Sequence, residues 1–171
     1  MANMTTGRDV GGTPGARHKD HSNQPKAAPV RIAGLAQGTI IRTMDGELPV
    51  EFLSVGDRVI TRGGMRRIVA LHAQEFTGEI VHIRPGVLGH DRPEAALVIG
   101  GDTDVLLRDW RASALYGAAE AMVPAARLVD GEFITRRPAH GLRLFTLCFE
   151  RDEVIYADGV EIGAARVPVT V

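Results

Sequence analysis

The sequence predicts an all-β fold of many short strands behind a polar N-terminal tail. Runs of four or five β-branched or apolar residues recur at roughly ten-residue spacing, and turn residues separate them, the pattern of a sandwich or barrel. Glycine makes up 20 of 171 residues, well above its usual share of about 7%. Helices tolerate glycine poorly, so this excess favours strands and tight turns. The single cysteine excludes an internal disulfide framework and a cysteine-rich zinc site.

Composition narrows the function classes. A net charge of −1 and an aromatic content of 5% argue against a nucleic-acid binder. No apolar run approaches the ~20 residues that span a bilayer, so no membrane partner is expected. The N-terminus has no charged segment followed by an apolar one, which makes a cytoplasmic location the default expectation. Residues 1–30 form the tail, rich in Gly, Pro, Ser, Thr, Asn and charge without apolar periodicity, and are expected to be disordered. Residues 31–171 form the folded domain. His18 and His21 in the tail have no further ligands beside them and are read as solvated.

The elements follow in order. Thr39 to Thr43 is a β-branched strand that runs into Asp45-Gly46, a hairpin signal. Val59 to Arg62 runs into Gly63-Gly64. Arg66 to Gln74 alternates in part, with Ile68, Ala70 and His72 on one parity. Glu79 to Ile83 alternates again, and a turn through Phe76-Thr77-Gly78 would pair these two segments as a hairpin, facing His72 towards His82. Ala96 to Ile99 and Val105 to Leu107 flank Gly100-Gly101. Ala112 to Ala121 suits a short helix, weakened by Gly117. Leu142 to Phe149 and Glu153 to Ala157 are expected to pair, ahead of an Asp158-Gly159 turn.

Five collinear stretches carry a family likeness. They are Gly38 to Arg62 (GTIIRTMDGELPVEFLSVGDRVITR), Ile83 to Gly89 (IRPGVLG), Leu97 to Leu107, Met122 to Gly131 (MVPAARLVDG) and Leu144 to Gly159. In this order they resemble the Hint (hedgehog/intein) domain in its bacterial, alphaproteobacterial form, over about residues 34–165. The resemblance implies a compact disc-like β fold. It also implies a chemistry: a Cys or Ser attacks the carbonyl of the peptide bond before it, and a histidine polarises that amide and protonates the leaving nitrogen.

The residues needed for that chemistry are replaced. The family's nucleophile stands four residues before the G-T turn, which is Gly34 here, between Ala33 and Leu35. The histidine of the second motif corresponds to Thr103, within Gly100-Gly101-Asp102-Thr103. The two histidines of the closing motif correspond to Thr146 and Asp152. The resemblance therefore implies a Hint fold without self-splicing or autoproteolysis, acting as a binding or scaffold module for a protein partner. Its old cleft, lined by Gly34, Thr39, Thr103 and Asp104, would be a binding groove or simply vestigial, and any retained ligand site would lie at the Gly100–Asp109 loop beside Gly34 and Asp158. The alternative is residual self-cleavage near Gly34 by an unconventional nucleophile. No catalytic residue, cofactor or metal is expected.

The remaining candidates have plainer readings. Cys148 lies in an alternating apolar strand and reads as a buried thiol, without the positive neighbour that a reactive thiolate needs. His72, His82 and His90, with Asp91 or Glu75 as a third ligand, would make only a weak metal set, and His140 beside Gly141 reads as solvated. Asp102, Asp104 and Asp109 lie in one loop, but a single such string with Arg108 inside it does not make a calcium site.

Overall fold

The computed structural model describes residues 32–165. The expected tail over 1–30 lies outside them. The described residues contain twelve strands, one short α-helix and two single-turn 3-10 helices, Val50–Phe52 and Ala125–Arg127. In chain order the strands are β1 (Leu35–Ala36), β2 (Ile40–Thr43), β3 (Gly46–Pro49), β4 (Arg58–Thr61), β5 (Gly64–Arg67), β6 (Ala70–Ile83), β7 (Leu97–Ile99) and β8 (Asp104–Leu107). The helix α1 (Trp110–Tyr116) follows, then β9 (Ala121–Pro124), β10 (Ile134–Cys148), β11 (Glu153–Ala157) and β12 (Val160–Ala164). The fold is the predicted all-β arrangement of many short strands.

Two sheets share one core. In the first, β1, β10, β6 and β7 pair in turn and close on themselves, because β1 bonds both β10 and β7. The second runs β3-β2-β4-β11-β12-β8-β9, with β5 added on β4. Alternate residues of each sheet point into a common cluster: Ile83, Ile99, Phe145 and Leu147 from one, Ile41, Val105, Ile155 and Ile162 from the other. Burying each such side chain stabilises the fold by roughly 1.5–3 kcal/mol against leaving it in water. The opposite face of the first sheet buries a smaller cluster of Ala36, Ile80 and Leu144.

Two hairpins repeat one device. Thr43 pairs with Gly46 across Met44-Asp45, and Thr61 pairs with Gly64 across Arg62-Gly63. Each threonine hydroxyl donates to the glycine carbonyl, at 2.7 Å in both turns, and accepts the N–H of the intervening residue, Asp45 or Gly63, at 3.2 Å. Gly46 and Gly64 have φ of 110° and 106°, where a side chain would be strained. The two-residue loop is therefore Met44-Asp45, one residue earlier than the Asp-Gly pair suggests.

Three pairings differ from expectation. Residues 70–83 form one uninterrupted strand, so His72 and His82 are ten residues apart along β6 and do not face each other. His72 stands opposite Thr146, and His82 opposite Thr135. Gly78 makes room for a ring here and does not turn the chain: a Cβ on it would lie 2.7 Å from Phe76 Cζ. Next, Leu142 to Phe149 does not pair with Glu153 to Ala157. Its strand extends back to Ile134 and pairs with β6, while β11 pairs with the unforeseen β12. Pro138 is accommodated because residues 134–141 bond only β6 among the described strands, leaving an edge that needs no donor. Finally, Arg66 to Gln74 is split at Ile68-Val69, where Ile68 N donates to Asp57 O and Val69 N to Cys148 O.

The helix is shorter than the expected span and starts earlier. Asp109 caps it by accepting the Arg111 N–H, and Gly117 ends it in the left-handed conformation. Gly117 acts as a stop signal.

Candidate functional site

Residues 32–34 cross the strand and loop of residues 99–103 at close range. Ile32 N donates to Asp102 Oδ2 (2.6 Å), and Asp102 N donates to Ile32 O (2.8 Å). Gly100 N donates to Gly34 O at 2.9 Å. Gly100 has to be glycine for this crossing, since a Cβ there would lie 2.5 Å from Ile32 O. Asp102 therefore orders the incoming chain, a role that its string of neighbouring acids in the sequence did not signal.

The Ala33–Gly34 peptide bond is held at both ends. Its N–H, on Gly34, donates to Thr103 Oγ1 at 3.0 Å, and its carbonyl, on Ala33, accepts from Thr146 Oγ1 at 3.5 Å. The Thr103 hydroxyl also donates to Gly34 O at 3.2 Å. Thr103 is 4% exposed, so water does not compete for these bonds, whereas Thr146 is half-buried. Gly34 has φ +139°, and a Cβ on it would sit 3.2 Å from Phe145 O and 3.3 Å from Leu144 Cβ. A side chain at this position would be strained and crowded.

Gly34, Thr103, Thr146, Asp104 and Asp152 all line one open cavity of about 500 Å³. Four of these stand at the positions that the Hint resemblance assigns to the nucleophile and the histidines. Thr39 is not in this lining. It is buried at the start of β2, where its hydroxyl donates to Ala36 O at 2.7 Å and braces the turn after β1. Asp158 is absent from the lining too. It sits in the β11–β12 turn beside Glu94, where burial and then the charges of Glu94 and Glu47 raise its carboxyl above the usual value.

Among the described residues, the lining contains no histidine, cysteine, serine, lysine or arginine. Its carboxylates are Asp102, Asp104, Asp152 and Glu153. Glu153 is buried and bound by Arg66 Nε (2.8 Å) and Thr61 Oγ1 (2.8 Å). A threonine hydroxyl needs a general base to become a nucleophile. The hydroxyls of Thr103 and Thr146 are engaged with main-chain groups, an arrangement that positions the Ala33–Gly34 peptide. Cys148 is buried and outside this lining, and burial pushes its thiol up. His82 also lies elsewhere: burial, then Arg137 and Arg84, lower its imidazole. No group of three His, Cys, Asp or Glu among the described residues is placed to hold a metal ion.

The sequence pattern of the Hint domain matches residues 33–165, and so begins at this same Ala33. The chain belongs to the Hint family. Solved structures of similar fold support the assignment. The gp41-1 intein is 11% identical, with 75% of this chain and 96% of that one covered, at a TM-score of 0.52. An intein-like domain from Clostridium thermocellum is 15% identical, covering 78% of this chain and 98% of that one, at 0.53. The MchDnaB-1 intein is 14% identical, covering 75% and 98%, at 0.50. At such identities these likenesses concern the Hint fold alone. No curated protein matches the chain in sequence. Among the described residues, no helix is long and apolar enough to cross a membrane.

Proposed function

We propose that this Hint domain does not splice or cleave itself and works as a binding or scaffold module for a protein partner. The observation that carries this reading is the peptide bond between Ala33 and Gly34. It is gripped by two hydroxyls, yet the residue after it has no side chain to attack with. Acyl shift requires a thiol or hydroxyl at position 34 and an acid able to protonate the leaving nitrogen. Glycine supplies no nucleophile, and a threonine hydroxyl is a poor proton donor at neutral pH. The cavity of about 500 Å³ around this bond is then available as a groove.

Intact-mass measurement tests the reading. The purified full chain is incubated with and without hydroxylamine and with and without a thiol. A single species at 18.4 kDa is expected under every condition. A product lacking residues 1–33 would show residual autoprocessing and overturn the proposal.

A further inference from the structure

A second cavity, of about 370 Å³, shares no lining residue with the first. It lies between the end of β8, the start of β12 and the loop after β6. Its apolar surface comes from Leu88, Leu106, Leu107 and Val160, and its charged rim from His90, Arg92, Arg108, Asp109 and Glu161.

The two acids in the lining are already engaged. Asp109 accepts the Arg111 N–H (2.9 Å) and Arg111 Nη1 (2.6 Å). Glu161 is buried and accepts from Arg108 Nη1 at 3.2 and 3.3 Å. The cations are not matched in the same way. The Arg92 guanidinium has no hydrogen-bond or ion-pair partner among the described residues, while Arg108 meets Glu161 through Nη1 and Glu120 through Nε (3.9 Å) and keeps half of its side chain exposed, so Arg92 is the unmatched cation and Arg108 offers only its remaining donors. Loop geometry adds a third feature. His90 and Asp91 hold φ of 51° and 57°, consecutive left-handed conformations that non-glycine residues seldom adopt. The His90 N–H has no backbone carbonyl partner among the described residues.

We propose that this cavity binds a small organic carboxylate, with its apolar body against Leu88, Leu106, Leu107 and Val160 and its carboxylate received by Arg92 and Arg108. Arginine suits the task because its planar fork matches a carboxylate through two parallel hydrogen bonds. The volume fits the lower end of small-molecule sites. The site stands apart from the Ala33–Gly34 cleft, so it does not depend on whether that cleft is reactive.

Titration of the isotope-labelled full chain with hexanoate, hexanamide and inorganic phosphate, followed by amide chemical shifts, tests this. Hexanoate is expected to shift the amides of residues 88–92 and 106–109 saturably, and hexanamide to bind at least about tenfold more weakly, the cost of one charge-assisted contact. Arg92→Gln should weaken hexanoate by a similar factor, while Arg143→Gln, on β10, should leave it unchanged. Equal binding of hexanoate and hexanamide would overturn the proposal, as would an unchanged Arg92→Gln titration or the absence of localised shifts. Tighter binding of phosphate than of hexanoate would overturn it too, in favour of a bare anion site.

Discussion

Threonine hydroxyls do two different jobs in two regions of this molecule. In the hairpins, Thr43 and Thr61 tie residues three apart in the chain, and Thr43 does only that, whereas Thr61 also meets the buried Glu153 carboxylate. In the cleft, Thr103 ties residues 69 apart, joining the first described segment to the loop before β8. The chemistry is the same, but the consequences are not. A hairpin hydroxyl finishes a turn that the strands on either side already define. The cleft hydroxyl fixes where a peptide lies relative to strands formed by distant sequence, so its loss has no local structure to absorb it. Long-range hydrogen bonds made by small polar side chains therefore deserve more weight in reading a site than their net strength of about 1 kcal/mol suggests.

The sharpest break of this contrast is at the peptide itself. Gly34→Ala forces a side chain into φ +139° against Phe145 O and Leu144. A loss of about 2–3 kcal/mol is expected, from strain and crowding together, seen as a Tm lowered by roughly 5–10 °C. An unchanged Tm would mean that the segment before β1 is free to move, and that the clamp is not a constraint.

Next comes a matched pair of substitutions. Thr103→Val keeps the shape but leaves the Gly34 N–H buried without a partner, at a cost of about 1–3 kcal/mol. Thr43→Val removes bonds that water can partly replace and costs about 0.5–1.5 kcal/mol. Hydrogen exchange separates the two beyond their size. Thr103→Val should expose the amides of Gly34, Gly100 and Asp102, whereas Thr43→Val should affect only its own turn. Equal losses with equal spread would erase the distinction between local and long-range ties.

The smallest effect concerns a third arrangement. Thr135 stands opposite His82, and their buried Oγ1 and Nδ1 atoms have no hydrogen-bond partner among the described residues. Burial, with Arg137 and Arg84, holds the imidazole below its ordinary value of 6.5. As pH falls through that value the unfolded chain takes up a proton that the folded chain resists. Stability should therefore drop on acidification, by ~0.5 kcal/mol or less from this group. Urea denaturation at pH 7.5 and 5.5 should show a smaller difference for His82→Gln than for the parent chain. An unaltered difference would place the acid sensitivity elsewhere.

Much of this was legible in the residues, and the failures share a cause. Local turn chemistry announced the β2–β3 and β4–β5 hairpins and the Asp158-Gly159 turn, because each depends on neighbours in sequence. The positions taken from the family likeness, Gly34, Thr103, Thr146 and Asp152, come together around one cavity although they are spread over more than a hundred residues. Thr39 did not join them, since closeness in sequence to Gly34 says nothing about the direction in which β2 leaves. Phe76-Thr77-Gly78 reads as a turn when taken alone. Pairing with the whole of β10 outweighs that local preference, and the Phe76 ring fills the space that glycine leaves.

The backbone at Gly34 also sets an order on sequence change. Thr103 and Thr146 could each become histidine without requiring an unusual main-chain conformation at their own positions. A cysteine or serine at position 34 could not appear with equal freedom, because φ +139° penalises any residue with a Cβ. A cysteine or serine at position 34 would first require the path of residues 32–34 to be re-laid by changes in the strands around it. Glycine at that position works as a ratchet: moving onto it is easy for a lineage, and moving off it requires the surrounding strands to yield first.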